Sequence, residues 1–334
     1  MLWHLALEPF EHRYTADWYR WFKMEYEKNN VDYEYVDGVS LTDKIETGRF
    51  LDTYNTIHWK TTQMAEVAKL FRAGRVKSGD IFFTCDLWHP GVESIAYMSQ
   101  LSGIEVKIYG ILHAGSYDPY DFVSQAGLGK WAEDFEHGWI KLCEQVFVGT
   151  SFHASLINAG LGWQDKLLVT GLPFYADELI ATYGGKSKVP RICFPHRLDP
   201  EKQPGQFAEL QRLMSDLAPD DFIRTAEYAV GNKSGYYRLL AGSTVAVSFS
   251  LQETFGYAML EAAALGCDIV VPDRLSYHEM YPSRCLYQGK GYDDAVNALP
   301  LVRRALNNPV KLSDDIWSPY KTSILRMLKG MELV

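Results

Sequence analysis

Cysteine is scarce and unpatterned in this sequence: five residues, Cys85, Cys143, Cys193, Cys267 and Cys285, lie scattered over 334 positions with no CxxC spacing. So dispersed an odd number excludes a disulfide framework and a zinc cluster, and predicts reduced thiols in the core. Apolar runs of membrane-spanning length are missing, so no membrane insertion is expected. The opening MLWHLALEPFEHR has neither a basic leader nor a small-residue cleavage site, which predicts no signal peptide and a cytoplasmic location. Positive charge is also short. The formal net charge is −9, with about −10 carried by residues 1–180 and about +1 by the remainder. Such a balance argues against indiscriminate nucleic-acid binding while leaving room for a local basic strip.

What is present suits a large folded protein. Apolar residues make up 47% and aromatics 14% of the chain, enough for full-sized cores, and 334 residues is more than one core usually spans. Short apolar runs alternate with helical stretches: LWHLAL, YEYV, IFFTC, EVKIYGIL and QVFVGT are strand-like, and between them lie helices such as the one with Met64, Val67 and Phe71 on one face. A Gly-, Pro- and polar-rich stretch follows, and the alternation then restarts with RICFP, DFIRTAEY, TVAVSF and DIVV. The pattern predicts an α/β protein of two doubly wound, Rossmann-like domains facing a central cleft. The expected boundaries are residues 1–172 for the first domain, 173–189 for a linker, 190–312 for the second domain and 313–334 for a C-terminal helix crossing back. Aromatic content suits a dimer interface and two filled cores equally, so the oligomeric state stays open.

The most informative stretch is SFSLQETFGYAMLEAAALGCDIVVPD. Here a strand ends, a polar turn carries Glu253, and a helix begins near Gly256, whose free N–H groups favour a phosphate. Glu261, just over one turn into that helix, can accept two hydrogen bonds from a sugar diol, or it is a surface glutamate on a core-packing helix. A second segment, FPHRLDPEKQP, sets Arg197 and Lys202 in the loop after the opening strand of the second domain. Those two form either an anion site or a solvated charged loop.

The pair of glutamates eight apart in ETFGYAMLE, followed by AAALGCDIVVPD, resembles the retaining GT-B glycosyltransferases that use nucleotide sugars, and the likeness covers most of the second half. It implies that Glu261 binds the donor ribose and Glu253 the donor sugar. Thr254, Phe255, Gly256 and Tyr257 then meet sugar and phosphate through their backbone. FPHRLDPEKQP is similar to the family's G-R-L-x-x-x-K-G loop, with His196 and Gln203 where the family has glycine. By that likeness Arg197 and Lys202 hold the donor diphosphate, most often that of a UDP-sugar, and stabilise the leaving nucleotide. No separate cofactor is implied, and no essential divalent metal, in keeping with the absence of a DxD triplet.

The first half matches the family less well, and EPFEHRYTADW replaces its usual Gly-Gly turn. His113, directly after a strand, resembles the first-domain histidine that contacts the donor sugar, although a lone histidine is often structural. Asp86 also follows a strand, where it orients or deprotonates an acceptor hydroxyl or else caps the next helix. His89 shares its turn. Glu8, Glu11, His12, Arg13 and Tyr14 form a polar loop read as an acceptor wall. EPFEHRYTADW and DLWHPGVES together look like phage-encoded glycosyltransferases associated with hypermodified DNA. That implies a hydroxymethylated pyrimidine as acceptor, its base flipped into the site, and a host-cytoplasm location. Lys60, Arg72, Arg75 and Lys77 are the candidate phosphate contacts. Three rival functions stay open: a nucleotide-sugar epimerase or hydrolase using Asp86 and Glu253, a glycosyltransferase with a protein, lipid or small-molecule acceptor, and a non-catalytic nucleotide-sugar sensor.

Overall fold

The computed structural model describes residues 1–11, 13–41, 54–229 and 232–334; His12 lies outside them. Among the described residues every strand pairing is parallel. Sequence chemistry dictates this. IFFT and STVAV are buried at every position, the mark of strands covered on both faces by crossover helices rather than wetted on one.

The chain divides into two units, Met1–Pro173 with Thr322–Val334, and Phe174–Lys321. The first holds β1 (Leu2–Leu5), β2 (Tyr33–Tyr35), β3 (Ile81–Thr84), β4 (Lys107–Ile111), β5 (Gln145–Val148) and β6 (Leu167–Val169), in the order β2-β1-β3-β4-β5-β6. Trp3, Phe82, Ile108, Val146 and Val148 are among the residues filling its core. Each such side chain contributes roughly 1.5–3 kcal/mol on leaving water. The second unit holds β7 (Val189–Phe194), β8 (Phe222–Arg224), β9 (Ser243–Val247), β10 (Asp268–Pro272) and β11 (Leu286–Tyr287), in the order β11-β10-β9-β7-β8. Its core includes Ile192, Phe194, Phe207, Val245 and Val270.

All five cysteines are free and buried. Cys85 Sγ lies 3.1 Å from His4 Nε2, and burial raises its pKa well above the usual thiol value. Among the described residues no helix is long and apolar enough to cross a membrane.

The structure departs from the sequence reading in several elements. The segment read as a linker contains a helix, Ala176–Tyr183, which packs on the helices Lys233–Gly242 and Tyr257–Ala264. Its Asp177 and Glu178 suit a helix start and its Ala176 and Leu179 are buried, but eight residues between Pro and Gly-Gly flanks are too few for a periodic signal. Strands β6 and β11 are likewise too short to read. In DFIRTAEY only Phe222–Arg224 is a strand, and Thr225–Tyr228 is helical. At the C-terminus, the helix Ser323–Gly330 belongs to the first unit, where Arg326 Nε donates to the Thr170 carbonyl at 2.7 Å.

Candidate active site

A parallel α/β sheet offers a ligand site where its strand order reverses, because there the loops leaving two neighbouring strands part to opposite faces. In the second unit that point lies between β7 and β9, and the two charged motifs occupy the loops after those strands. Leu251 N–H donates to the Glu201 carbonyl at 2.8 Å, fastening one loop to the other. Lys202, with only 6% of its surface exposed, donates from Nζ to the Gln252 carbonyl at 2.5 Å and to Glu253 at 3.3 Å. The other oxygen of Glu253 accepts the Gly256 N–H at 2.9 Å. One carboxylate is thus pinned by an ammonium from the first loop and an amide at the start of the helix Tyr257–Ala264.

Gly256 is required by geometry. It sits at φ 80°, ψ 47°, and a Cβ there would lie 3.0 Å from Tyr277 Cε1. Thr254 is half-buried, whereas Phe255 is buried against Tyr257 and Tyr320, with ring centroids 4.9 and 4.7 Å away. Gln203, in the family's glycine position, adopts φ 58°, ψ 53°, so it keeps the left-handed turn that glycine takes more easily. His196, in the other glycine position, is buried edge-on to Phe194. Burial, then Lys202 and Arg197, hold its pKa well below the usual histidine value. Arg197 lies on the surface with its guanidinium 3.0 Å from Asp199 and from Glu201, so an incoming anion competes with these carboxylates. Glu261 accepts hydroxyl hydrogen bonds from Tyr236 and Tyr237, each at 2.9 Å.

In the first unit the reversal lies between β1 and β3; Glu8, Glu11 and Arg13 follow the first of these strands, ahead of the helix Tyr14–Lys28, and Asp86 follows the other. The carboxylate of Asp86 pairs with Lys60 Nζ at 2.6 Å and accepts the Trp88 N–H at 3.1 Å. Burial alone would raise its pKa. Lys60 and His113 outweigh that effect, so the carboxyl stays below its usual range and ionised. His113 Nε2 donates to the Cys85 carbonyl at 2.7 Å, which leaves Nδ1 as the acceptor nitrogen. The His113 ring lies 5.3 Å from Trp18 and 6.3 Å from Tyr14, and burial lowers its pKa despite the opposing Asp86 charge. The Tyr14 phenol pKa is raised by burial and then by Asp86. Asp86, His113 and Tyr14 therefore form one cluster. Arg13 lies beside it in sequence with its guanidinium 5.9 Å from the Phe10 ring, and Glu11 is exposed.

Several sequence expectations are corrected. Asp86 is not a helix cap: the helix Val92–Ser102 starts at Gly91, and the Asp86 carboxylate bonds within its own turn instead. Lys60 is no surface phosphate contact, being 4% exposed and paired with Asp86. Arg72, Arg75 and Lys77 precede β3 and so lie at the amino ends of the strands, opposite to Asp86 and His113. Arg75 is moreover paired with Glu34 at 2.5 Å. His89 is buried. Gln63 donates its amide N–H to the Ala6 and Val36 carbonyls, so its oxygen accepts from His89 Nε2 at 3.0 Å. His89 therefore braces the turn rather than lining an acceptor wall.

Sequence reasoning missed Gln63 and Glu136. Glu136, 1% exposed, accepts from Trp88 Nε1 at 3.0 Å and Ser116 N–H at 2.8 Å, tying the Asp86 loop to the His113 loop. A signal was available for one of them: Gln63, like Lys60, is a polar residue on the buried face that also carries Trp59 and Val67. Among the described residues no three His, Cys, Asp or Glu side chains gather as a metal site.

The whole chain superposes on the sucrose-phosphate synthase of Thermosynechococcus elongatus with a TM-score of 0.65 at 10% identity, covering 100% of this chain and 96% of that one. The fold is that of the GT-B glycosyltransferases. The catalytic domain of starch synthase IV from Arabidopsis thaliana, bound to ADP and acarbose, gives a TM-score of 0.63 at 11% identity, covering 99% and 98%. Anabaena Alr3699/HepE in complex with UDP gives 0.58 at 10% identity, covering 100% and 99%. Locally, 52 residues are 42% identical to the tRNA-queuosine alpha-mannosyltransferase of Drosophila melanogaster, a segment spanning 16% of this chain and 14% of that protein. No family model matches the sequence.

Proposed function

We propose that this protein is a retaining glycosyltransferase that moves a sugar from a nucleoside diphosphate, most simply UDP, to an acceptor hydroxyl. The observation that carries the reading is the Lys202–Glu253 pair at the β7/β9 reversal, with the start of the Tyr257–Ala264 helix beside it. A diphosphate leaving group needs cations and oriented N–H groups, and this loop pair supplies both. Arg197 and Lys202 neutralise the charge that develops as the bond from the anomeric carbon to the phosphate oxygen breaks. Glu253 and the backbone of Thr254, Phe255, Gly256 and Tyr257 orient the sugar ring, and Glu261 accepts the ribose hydroxyls. The acceptor oxygen bonds to the anomeric carbon from the leaving group's face, and its proton passes to a phosphate oxygen.

The acceptor is a hydroxyl on a modified nucleoside. Two observations favour this class: the likeness of EPFEHRYTADW and DLWHPGVES to DNA-modifying glycosyltransferases, and the local identity to a tRNA-queuosine mannosyltransferase. Asp86 and Tyr14 are the groups assigned to hydroxyl positioning, with Arg13 and Glu11 at the margin, and His113 is assigned to the donor sugar. Ionised and ion-paired, Asp86 is a weak base that orients rather than deprotonates.

The experiment is nucleoside mass spectrometry after incubation with mixed nucleotide sugars and three acceptors: plain DNA, hydroxymethyl-pyrimidine DNA and queuosine-containing tRNA. A sugar mass on the hydroxymethylated base is expected, and one on queuosine assigns the acceptor to tRNA. Donor consumption without any acceptor supports the epimerase or hydrolase rival, and donor binding without turnover supports the sensor.

A further inference from the structure

Glu261 is met by two residues adjacent in sequence, Tyr236 and Tyr237, whose hydroxyls donate to different oxygens of its carboxylate, each at 2.9 Å. Adjacent positions on an α-helix point about 100° apart, so they do not ordinarily converge on one group. Here they converge because the helix Lys233–Gly242 packs on both Tyr257–Ala264 and Ala176–Tyr183. Their rings lie 5.3 Å apart, and Tyr183 packs on Tyr237 at 5.3 Å. Asn232 fixes the start of this helix by accepting the Gly235 N–H at 2.8 Å.

A carboxylate has about four lone-pair positions on two oxygens. One hydroxyl on each oxygen sets the plane of the group, and a carboxylate oxygen can accept more than one donor. Two neighbouring hydroxyls of a ribose match that spacing: one for each oxygen. Burial and then Glu261 push the Tyr236 phenol far above its usual pKa, so it remains a donor and cannot compete as an anion.

We propose that Tyr236 and Tyr237 are positioning residues that orient the Glu261 carboxylate to read a vicinal diol, and so set the preference for ribonucleotide over deoxyribonucleotide donors. This rests on the assignment of Glu261 to the donor ribose. Neither tyrosine touches the reacting atoms; both act through Glu261.

The test is calorimetric titration of the full chain with UDP and with 2′-deoxy-UDP, for the parent, Tyr236→Phe, Tyr237→Phe, the double variant and Glu261→Ala. The parent is expected to bind UDP about tenfold or more tighter than the deoxy compound, the worth of a hydrogen bond to a charged group. Each Phe variant is expected to keep its melting temperature and shrink that ratio about threefold, and the double variant to bring it near one. An unchanged ratio in the folded Phe variants overturns the inference. So does tighter UDP binding in them, which would make the hydroxyls competitors of the ribose. If Tyr236→Phe fails to fold, the half-buried Tyr237→Phe carries the test. A parent that binds UDP without discrimination, unaltered by Glu261→Ala, instead overturns the donor assignment beneath it.

Discussion

Lys202 Nζ lies 3.3 Å from the Glu253 carboxylate, joining the loop after β7 to the loop after β9. Both side chains are largely shielded, 8% and 17% exposed, so each depends on the other for charge balance. In the proposed reaction Lys202 also meets the leaving diphosphate, which gives it work that Glu253 does not share.

Kinetics separates these roles. Lys202→Met is expected to cut kcat/KM by about 10²–10³-fold, as the loss of one transition-state donor does elsewhere. Glu253→Gln, which keeps the shape but not the charge, is expected to do less. If Lys202 acted only by holding Glu253, the double variant would be no worse than Glu253→Gln alone. A double variant substantially slower than either single is the expected result.

The Lys60–Asp86 pair yields a stability prediction. With Lys60 4% and Asp86 15% exposed, at 2.6 Å, removing the lysine leaves a largely buried carboxylate without its cation. Lys60→Met is expected to cost about 3–5 kcal/mol, and Lys60→Met with Asp86→Asn distinctly less, because no unpaired charge remains. Pairing lowers the Asp86 pKa, so the pair's contribution is present above the ordinary carboxylate pKa and is lost as pH falls through the lowered one. Urea melts of the three proteins at pH 7 and in steps below about pH 4 check both statements: the gap between parent and Lys60→Met should narrow as pH falls below the ordinary carboxylate pKa.

Much of this was legible in the sequence. Strands such as IFFT and STVAV announce themselves because burial on both faces demands unbroken apolar runs. Glu253, Lys202 and Gly256 stand out by the family likeness and by the polar turn before a helix start, and the structure brings the three together. What stayed hidden depends on tertiary pairing. Nothing local reveals that Lys60 reaches Asp86, 26 positions away, or that Glu136 clasps Trp88 and Ser116 from a helix between other strands. Arg75 and Lys77 were misread for a related reason: charge is visible in sequence, but which end of a strand it precedes matters only once the sheet exists.

Three buried histidines predict acid lability. His4, His89 and His153 are 0–2% exposed, and burial lowers the pKa of each to about 3. The unfolded chain binds a proton at each near pH 6.5. Between those values unfolding takes up protons, so stability is full above about pH 6.5 and falls as pH drops. Each histidine is expected to withdraw about 2 kcal/mol between pH 6.5 and 5. Thermal melts should show a steep loss over that interval, and His153→Gln, which removes one titrating group, should flatten it. A melting temperature constant from pH 7 to 5 would contradict the neutral burial of these rings.

Gln203 closes the turn that presents Lys202, and it does so at φ 58°. A left-handed backbone costs a residue with a Cβ about 1–2 kcal/mol, while glycine escapes that strain but gives up about 0.5–1 kcal/mol of chain entropy. Gln203→Gly is therefore expected to be neutral or to stabilise by up to about 1 kcal/mol, with nucleotide affinity unchanged. A β-branched residue is a far poorer occupant of this region. Gln203→Val must either bear the strain or open the turn, and opening it draws Lys202 away from Glu253. The expected result is a lower melting temperature together with weaker UDP binding. The two readouts matter jointly: lost stability with full affinity would mean that the turn stores strain without setting the lysine, whereas loss of both ties the left-handed residue to the donor site.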